Sequence, residues 1–441
     1  MTIALAPGRP PVAAWLGRFR VDDLGFLLGL VLPATAAALY RTYSIAVTPA
    51  GLEQSRQFGL PFVLAEVAII LYANRRGLEP GALIAGLDRW SRRALLLFLA
   101  TFWIGAVFVS QRPAMSILWT VIWLVHLVFG AATYYLARLD RRFEPDRFAM
   151  GFALGSLLLA VWTAFHFAFP PPGLYVPHGA YGWGGAVPGF ISHRLFGAWC
   201  GAVAALLLAL AWIGRAGART RWLYPAIALA AGLAIWTGTR AAVLGVVVGM
   251  AAVPLLAGRP AHRSFWWKAP SAIAVAALIG TLLNPYGDPF FMLVRTSDTG
   301  TVNELSSGRL GYWADALAVA WRTPWLGAGA GATGWLVPAG DMYHVQPHNA
   351  LVQFLLDWGL LPTTAALTML GAATWHAHRR ARTFRRIVPL VAMLDCLLAM
   401  SLVDGMLHFP RFVMLTIALL AICLAYQKEG EGEPVTCARA Q

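Results

Sequence analysis

The chain has 441 residues, 59% of them hydrophobic and only 12% charged, and its 34 Lys and Arg outnumber 20 Asp and Glu to give a net charge of +14. A soluble domain carries about 25% charged residues, and the mean hydropathy here is +0.63, so an ordinary cytosolic enzyme is excluded. The basic excess would suit nucleic acid if it were gathered on one soluble face, but it is distributed between apolar runs. No nucleic-acid partner is expected.

In chain order the apolar runs fall at roughly 24–40, 58–73, 94–110, 114–136, 148–169, 194–214, 222–237, 240–257, 266–283, 350–375, 386–404 and 411–426. A bilayer-crossing helix needs about 20 apolar residues, so the expected fold is an all-α integral membrane protein with about twelve transmembrane helices. Arg18 and Arg20 precede the first run, but Asp22 and Asp23 intervene and no small-residue cleavage site follows, so that run reads as a retained span. With the N-terminus inside, 25 of the 34 basic residues fall on inner segments, as the positive-inside rule requires. Both termini then lie in the cytoplasm, and the inner arginines also meet anionic membrane lipids. Cys200, Cys396, Cys423 and Cys437 have no metal or redox spacing. No metal or cofactor is expected.

Two outer segments are unusually long. Residues 170–193 are rich in Pro, Gly and aromatics. Residues 284–349 contain S-S-G-R-L-G-Y-W-A-D-A-L-A-V-A-W, which reads as an amphipathic helix with Leu310, Trp313, Leu317 and Trp321 on its apolar face. Long loops are usually functional. Three regions follow: 1–283 with nine spans, 284–349 as a large outer loop, and 350–441 with three spans and a tail.

Ionisable groups at membrane helices are costly and mark function, and here they gather at outer ends. Arg194 follows the Pro/Gly loop, Arg240 sits in T-G-T-R, Arg309 opens the amphipathic segment, and His344 and His348 close the large loop. Asp404, His408 and Arg411 share the last outer turn. In V-Q-P-H-N-A-L-V-Q-F-L-L-D-W-G, residues Asn349, Gln353 and Asp357 are spaced i, i+4, i+8 on one helix face. Pro347 is expected to start that helix, and Gly359 to let a neighbour approach closely.

H-N followed by Gly359, together with S-S-G-R-L-G-Y-W…T-P-W-L-G-A-G-A-G and T-G-T-R-A-A-V-L-G, resembles the signature of bacterial O-antigen ligases over roughly residues 190–410. Pro362 departs from the family's usual Gly, Thr or Tyr three residues after the glycine. The resemblance implies a GT-C-like bundle in the bacterial inner membrane. It also implies periplasmic transfer of an O-antigen polysaccharide from undecaprenyl diphosphate to a lipid A–core sugar by a metal-independent, inverting glycosyltransferase.

Chemistry fits the resemblance. A diphosphate leaving group develops negative charge, and arginine forks bind phosphate oxygens bidentately. Arg240, Arg309 and Arg194 are the candidates for that role. The acceptor hydroxyl needs a base, and histidine suits neutral pH. His348 is either that base or a group that holds the acceptor by a hydrogen bond. Asn349, His344, Asp404, His408 and Arg411 are supporting or acceptor-binding candidates, with a structural ion network in the last turn as the plainer reading of the latter three. Asp357 and Asp395 read as hydrogen-bonded packing residues. The rival functions are an O-antigen polymerase, a protein O-oligosaccharyltransferase with the same donor, and a lipid-linked sugar transporter.

Overall fold

In the computed structural model the described residues are 20–43, 59–140, 143–169, 187–190, 192–214, 221–283, 308–339, 342–343 and 346–426. His344, Cys437, most of the Pro/Gly-rich outer loop, residues 284–307 and the acidic tail lie outside them.

Each of the twelve apolar runs is helical. The first is one rod, α1, made of Asp23–Phe26, a π-helical turn Leu27–Val31, and Leu32–Tyr43. There follow α2 (Leu60–Arg75), a short α3 (Pro80–Ala85), α4 (Arg89–Val109), α5 (Pro113–Leu139) and α6 (Pro145–Ala168). Then come α7 (His193–Ile213), α8 (Leu223–Trp236), α9 (Arg240–Ala257) and α10 (Phe265–Leu282). Seven described helices are long and apolar enough to cross a membrane, among them α15 (Arg385–Asp404), and shorter apolar helices complete the set. The protein is an all-helical integral membrane protein.

Helix α7 is the axis of the bundle, with 94% of its apolar window buried. Lipid tails are as apolar as leucine, so helices in a bilayer associate through close packing of small residues. Two such contacts organise the fold. On α1, Gly25 and Gly29 meet Gly151 and Gly155 of α6 so closely that a Cβ on Gly155 would lie 1.8 Å from the Gly29 carbonyl oxygen. On α9, Gly245 faces Cys396 and Met400 of α15, and a Cβ on Gly249 would lie 2.3 Å from the Ala392 carbonyl. That register is antiparallel, so the Arg240 end of α9 runs to the Asp404 end of α15.

The amphipathic segment is helical as expected: α11 spans Arg309–Ala320. Its buried face differs from the expected one. Tyr312, Ala316 and Ala320 are buried, and the expected Trp313 and Leu317 pack partly against the same cluster, while Leu310 and Trp321 are 41% and 70% exposed. The buried face is therefore rotated from the expected one and shares only its middle residues. A short turn of helix, α12 (Thr333–Leu336), and a two-residue antiparallel ladder, β1 (Pro338–Ala339) with β2 (Met342–Tyr343), follow.

The run at 350–375 is two helices, α13 (Ala350–Trp358) and α14 (Leu360–Thr383), broken at Gly359 with φ +81°. A 3₁₀ turn, Met406–His408, then joins α15 to α16 (Pro410–Ala425).

Candidate functional site

The helix α13 is started by Asn349, not Pro347. The Asn349 side chain accepts from the backbone N–H groups of Leu351 at 2.9 Å and Val352 at 3.1 Å, satisfying two donors that a helix start leaves unpaired. Pro347 stands outside the helix, where its carbonyl accepts from Trp313 Nε1 at 2.6 Å. Between them lies His348, with φ +56°, the only non-glycine residue with a left-handed backbone among the described residues. Such conformations cost about 1–3 kcal/mol and cluster at functional sites.

Three residues far apart in sequence meet at this histidine. His348 Nδ1 lies 2.9 Å from Asp404 Oδ1, and an Arg309 terminal nitrogen lies 3.3 Å from that same oxygen. A second Arg309 nitrogen donates to the Val403 carbonyl. Asp404 is 4% exposed, while His348 and Arg309 are 27% and 20% exposed. The carboxylate is therefore buried beneath two groups that reach the surface. Gln346 Nε2 also sits 3.0 Å from His348 Nδ1, but the anionic oxygen is the stronger acceptor. Nδ1 accordingly carries a proton to Asp404, and Nε2 keeps the lone pair. In this tautomer the imidazole can accept a proton.

Beneath this layer Gln353 and Asp357 form the buried polar stripe that the spacing predicts, at 4% and 3% exposure. Asp357 accepts from the backbone N–H groups of Gly331 and Thr333 at 3.1 and 3.2 Å. It thus clamps the loop L-G-A-G-A-G, in which Gly327, Gly329 and Gly331 all have positive φ. A Cβ on Gly359 would lie 2.3 Å from the Gly327 nitrogen. The two glycine-bearing motifs therefore interlock, and Gly359 does permit a close approach.

The last turn does not act as a single unit. Asp404 goes to His348 and Arg309. His408 Nδ1 accepts from Gln353 Nε2 at 2.8 Å, and its ring packs 5.1 Å from that of Trp119. Burial, with the charge of His348 adding, pushes the His408 pKa down to about 3, so this histidine is neutral with its proton on Nε2. The two histidines hold opposite tautomers. Arg411 leads away from both: it donates to the Gly189 carbonyl and stacks 4.0 Å from the Phe190 ring centroid and 5.0 Å from that of Phe62. Asp395, on the part of α15 remote from Asp404, lies 3.0 Å from His378 Nε2.

Arg194 and Arg240 stand at adjacent helix starts. Ser192 caps α7, and Thr239 Oγ1 donates to the Arg194 carbonyl at 3.4 Å. Gly197 makes room for this turn, since a Cβ there would lie 2.0 Å from Thr237 Oγ1. Helix N-termini carry partial positive charge that favours anions, so two such ends lie side by side here, each with an arginine in its first turn. The antiparallel register of α9 and α15 carries this pair toward Asp404.

Gln346 and Gly405 were not singled out from the sequence, and Trp313 was read only as part of an apolar helix face. The signal for Gln346 is its place two residues before His348. That for Gly405 is a glycine directly after the only acidic residue in the last turn. Among the described residues no three His, Cys, Asp or Glu side chains come together as a metal site.

Residues 225–367 match the model of the family described as O-antigen ligase. No curated protein matches the chain. The matched segment contains Arg240, Arg309, His348, Asn349 and both interlocked glycine motifs, and Asp404 completes the cluster from beyond it. Over this segment, which carries most of the cluster, the chain is similar to the O-antigen ligase family.

Proposed function

We propose that this protein is an O-antigen ligase of the bacterial inner membrane. It transfers a polysaccharide from undecaprenyl diphosphate to a hydroxyl of a lipid A–core sugar, at a site facing the periplasm. The observation that carries this reading is the single Asp404 oxygen shared by His348 and Arg309, at the end of the bundle where Arg194 and Arg240 head adjacent helices. The basic loops at the opposite end support cytoplasmic termini.

His348 Nε2 takes the proton of the acceptor hydroxyl as that oxygen bonds to the anomeric carbon. The bond from that carbon to the diphosphate oxygen breaks, with inversion, and undecaprenyl diphosphate leaves. Arg240, Arg194 and Arg309 meet the charge that develops on its phosphates. Preorganised donors of this kind are each commonly worth about 3–4 kcal/mol. Asp404 holds the imidazole in its basic tautomer and stabilises the cation formed. The outer loop 284–349 brings Arg309 and His348 to the site, and the spans on either side form a GT-C-like frame.

The test is purified protein given undecaprenyl-diphosphate glycan and rough lipopolysaccharide, without nucleotide and with chelator present. Transfer to lipid A–core is expected. Competing acceptors separate the readings: a pilin-like protein that outcompetes lipid A–core would make this a protein glycosyltransferase, and extension of the donor glycan a polymerase. Donor movement across proteoliposomes without transfer would make it a transporter.

A further inference from the structure

The left-handed backbone of His348 needs something to hold it, and the mechanism above does not use what does. Gln346 is 3% exposed, and both ends of its amide are spent on the same histidine. Its Oε1 accepts the His348 backbone N–H at 2.8 Å, and its Nε2 lies 3.0 Å from the ring nitrogen Nδ1. The first contact is a hydrogen bond that holds the main chain at φ +56°, whereas the second sets an amide donor against the ring nitrogen that donates to Asp404. Because Oε1 accepts from the backbone, Nε2 is forced to be the group turned toward the imidazole.

This amide has a seat cut for it. A Cβ on Gly405 would lie 1.8 Å from Gln346 Oε1 and 3.3 Å from His348 Cα. Gly405 also has φ +55° and directly follows Asp404. One turn of chain thus supplies both the carboxylate that meets His348 and the space for the amide. Both groups meet the same ring nitrogen, Nδ1: the anionic acceptor favours a proton there and the amide donor opposes one. Among the described residues Asp404 and Gln346 meet it and the His408 ring lies within its electrostatic reach, with Arg309 acting through the Asp404 oxygen.

We propose that Gln346 is a positioning residue for His348, seated on Gly405, that sets both the pose of the imidazole and its readiness to accept a proton. The inference deepens the reading of His348 as the base and rests on it for its kinetic consequence.

Gln346→Leu removes both contacts at nearly constant size. In the transfer assay kcat is expected to fall by about a hundredfold, the scale of a misplaced catalytic group, with donor KM unchanged. Gln346→Glu replaces the opposing N–H by a second carboxylate, so the acid limb of the pH–rate profile moves to higher pH. A readout independent of transfer keeps the two ideas apart. In histidine-labelled protein, with the His348 ring signal assigned by its loss in His348→Ala, the ring titration moves to higher pH in Gln346→Glu. An unmoved titration, or a Gln346→Leu protein with wild-type kcat, overturns the positioning role. A titration that moves while His348→Ala remains active upholds the positioning and overturns only the base. Gly405→Ala, should it fold, is expected to reproduce Gln346→Leu; full activity in a folded Gly405→Ala protein also counts against the proposal.

Discussion

Of the three acid–histidine pairs among the described residues, Glu66–His126 and Asp404–His348 share their chemistry and contrast most sharply in setting. Glu66 of α2 and His126 of α5 are 0% and 2% exposed, with both carboxylate oxygens within 2.8 Å of one ring nitrogen. Regular helices carry both residues, and rings such as Trp123 surround them. Asp404 and His348 are a similar distance apart, yet His348 reaches the surface, its backbone is left-handed, and an arginine shares its carboxylate. Desolvation usually absorbs most of the attraction within a buried pair, so the first pair acts as a packing element that fixes how α2 sits on α5. The second has what the proposed reaction asks for: access, an oriented tautomer and a cation beside it. An acid beside a histidine is therefore weak evidence of a site, and its setting is the strong evidence.

The largest effect that would sharpen this contrast is at His348. His348→Ala is expected to lower transfer by about 10²–10⁴-fold, the usual contribution of a general base, with the protein still folded by thermal melting. Full activity in that variant would break the contrast outright. Arg309→Ala should cost about 10²–10³-fold in kcat, as loss of one charge-stabilising donor does, and leave Asp404 unbalanced.

At the buried pair the effect is on stability alone. Glu66→Ala strands a histidine in the interior and is expected to cost about 3–5 kcal/mol, read as a lower melting temperature. Glu66→Leu combined with His126→Leu should restore or exceed the original stability with kcat unchanged. A loss of kcat in the folded double variant would make this pair functional too.

Asp357→Ala leaves the Gly331 and Thr333 N–H groups without their acceptor, at about 1–3 kcal/mol for each group left unmet. Its effect on kcat should follow from loosening of the glycine loop. The smallest effect is expected at His408. Its pKa, near 3 through burial and the charge of His348, lies below its unfolded value, so its neutral form stabilises the fold above about pH 6.5. That contribution fades as pH falls toward the folded value. His408→Asn should accordingly flatten the acid side of the stability curve and leave the pH–rate profile of transfer in place.

Much of this was legible in the chain. Apolar runs place helices because in lipid every backbone group must be satisfied within its own segment, and the twelve runs are all helical. The polar stripe Gln353–Asp357 was readable from its period, as was the close approach at Gly359. Two G-x-x-x-G pairs, Gly25/Gly29 and Gly151/Gly155, were equally present in the sequence, but spacing alone does not say which glycine pair meets which. The break at Gly359 and the inward face of α11 also escaped pattern reading. A run of apolar residues looks the same whether or not its helix is interrupted, and a hydropathy pattern does not count the alanines that complete a buried face.

The sequence by itself determined the class of the protein, its resemblance to a family and the side chains able to do chemistry, because hydrophobicity, charge and motif spacing are properties of local chain. Only the tertiary structure decided which of those side chains meet. Arg309, His348 and Asp404 are separated by 39 and 56 positions, and no local rule brings them to one oxygen. Tertiary packing also sent Arg411 and His408 away from that oxygen. It folded Gln346 back onto its own neighbour because Gly405, on another helix end, leaves the space for it.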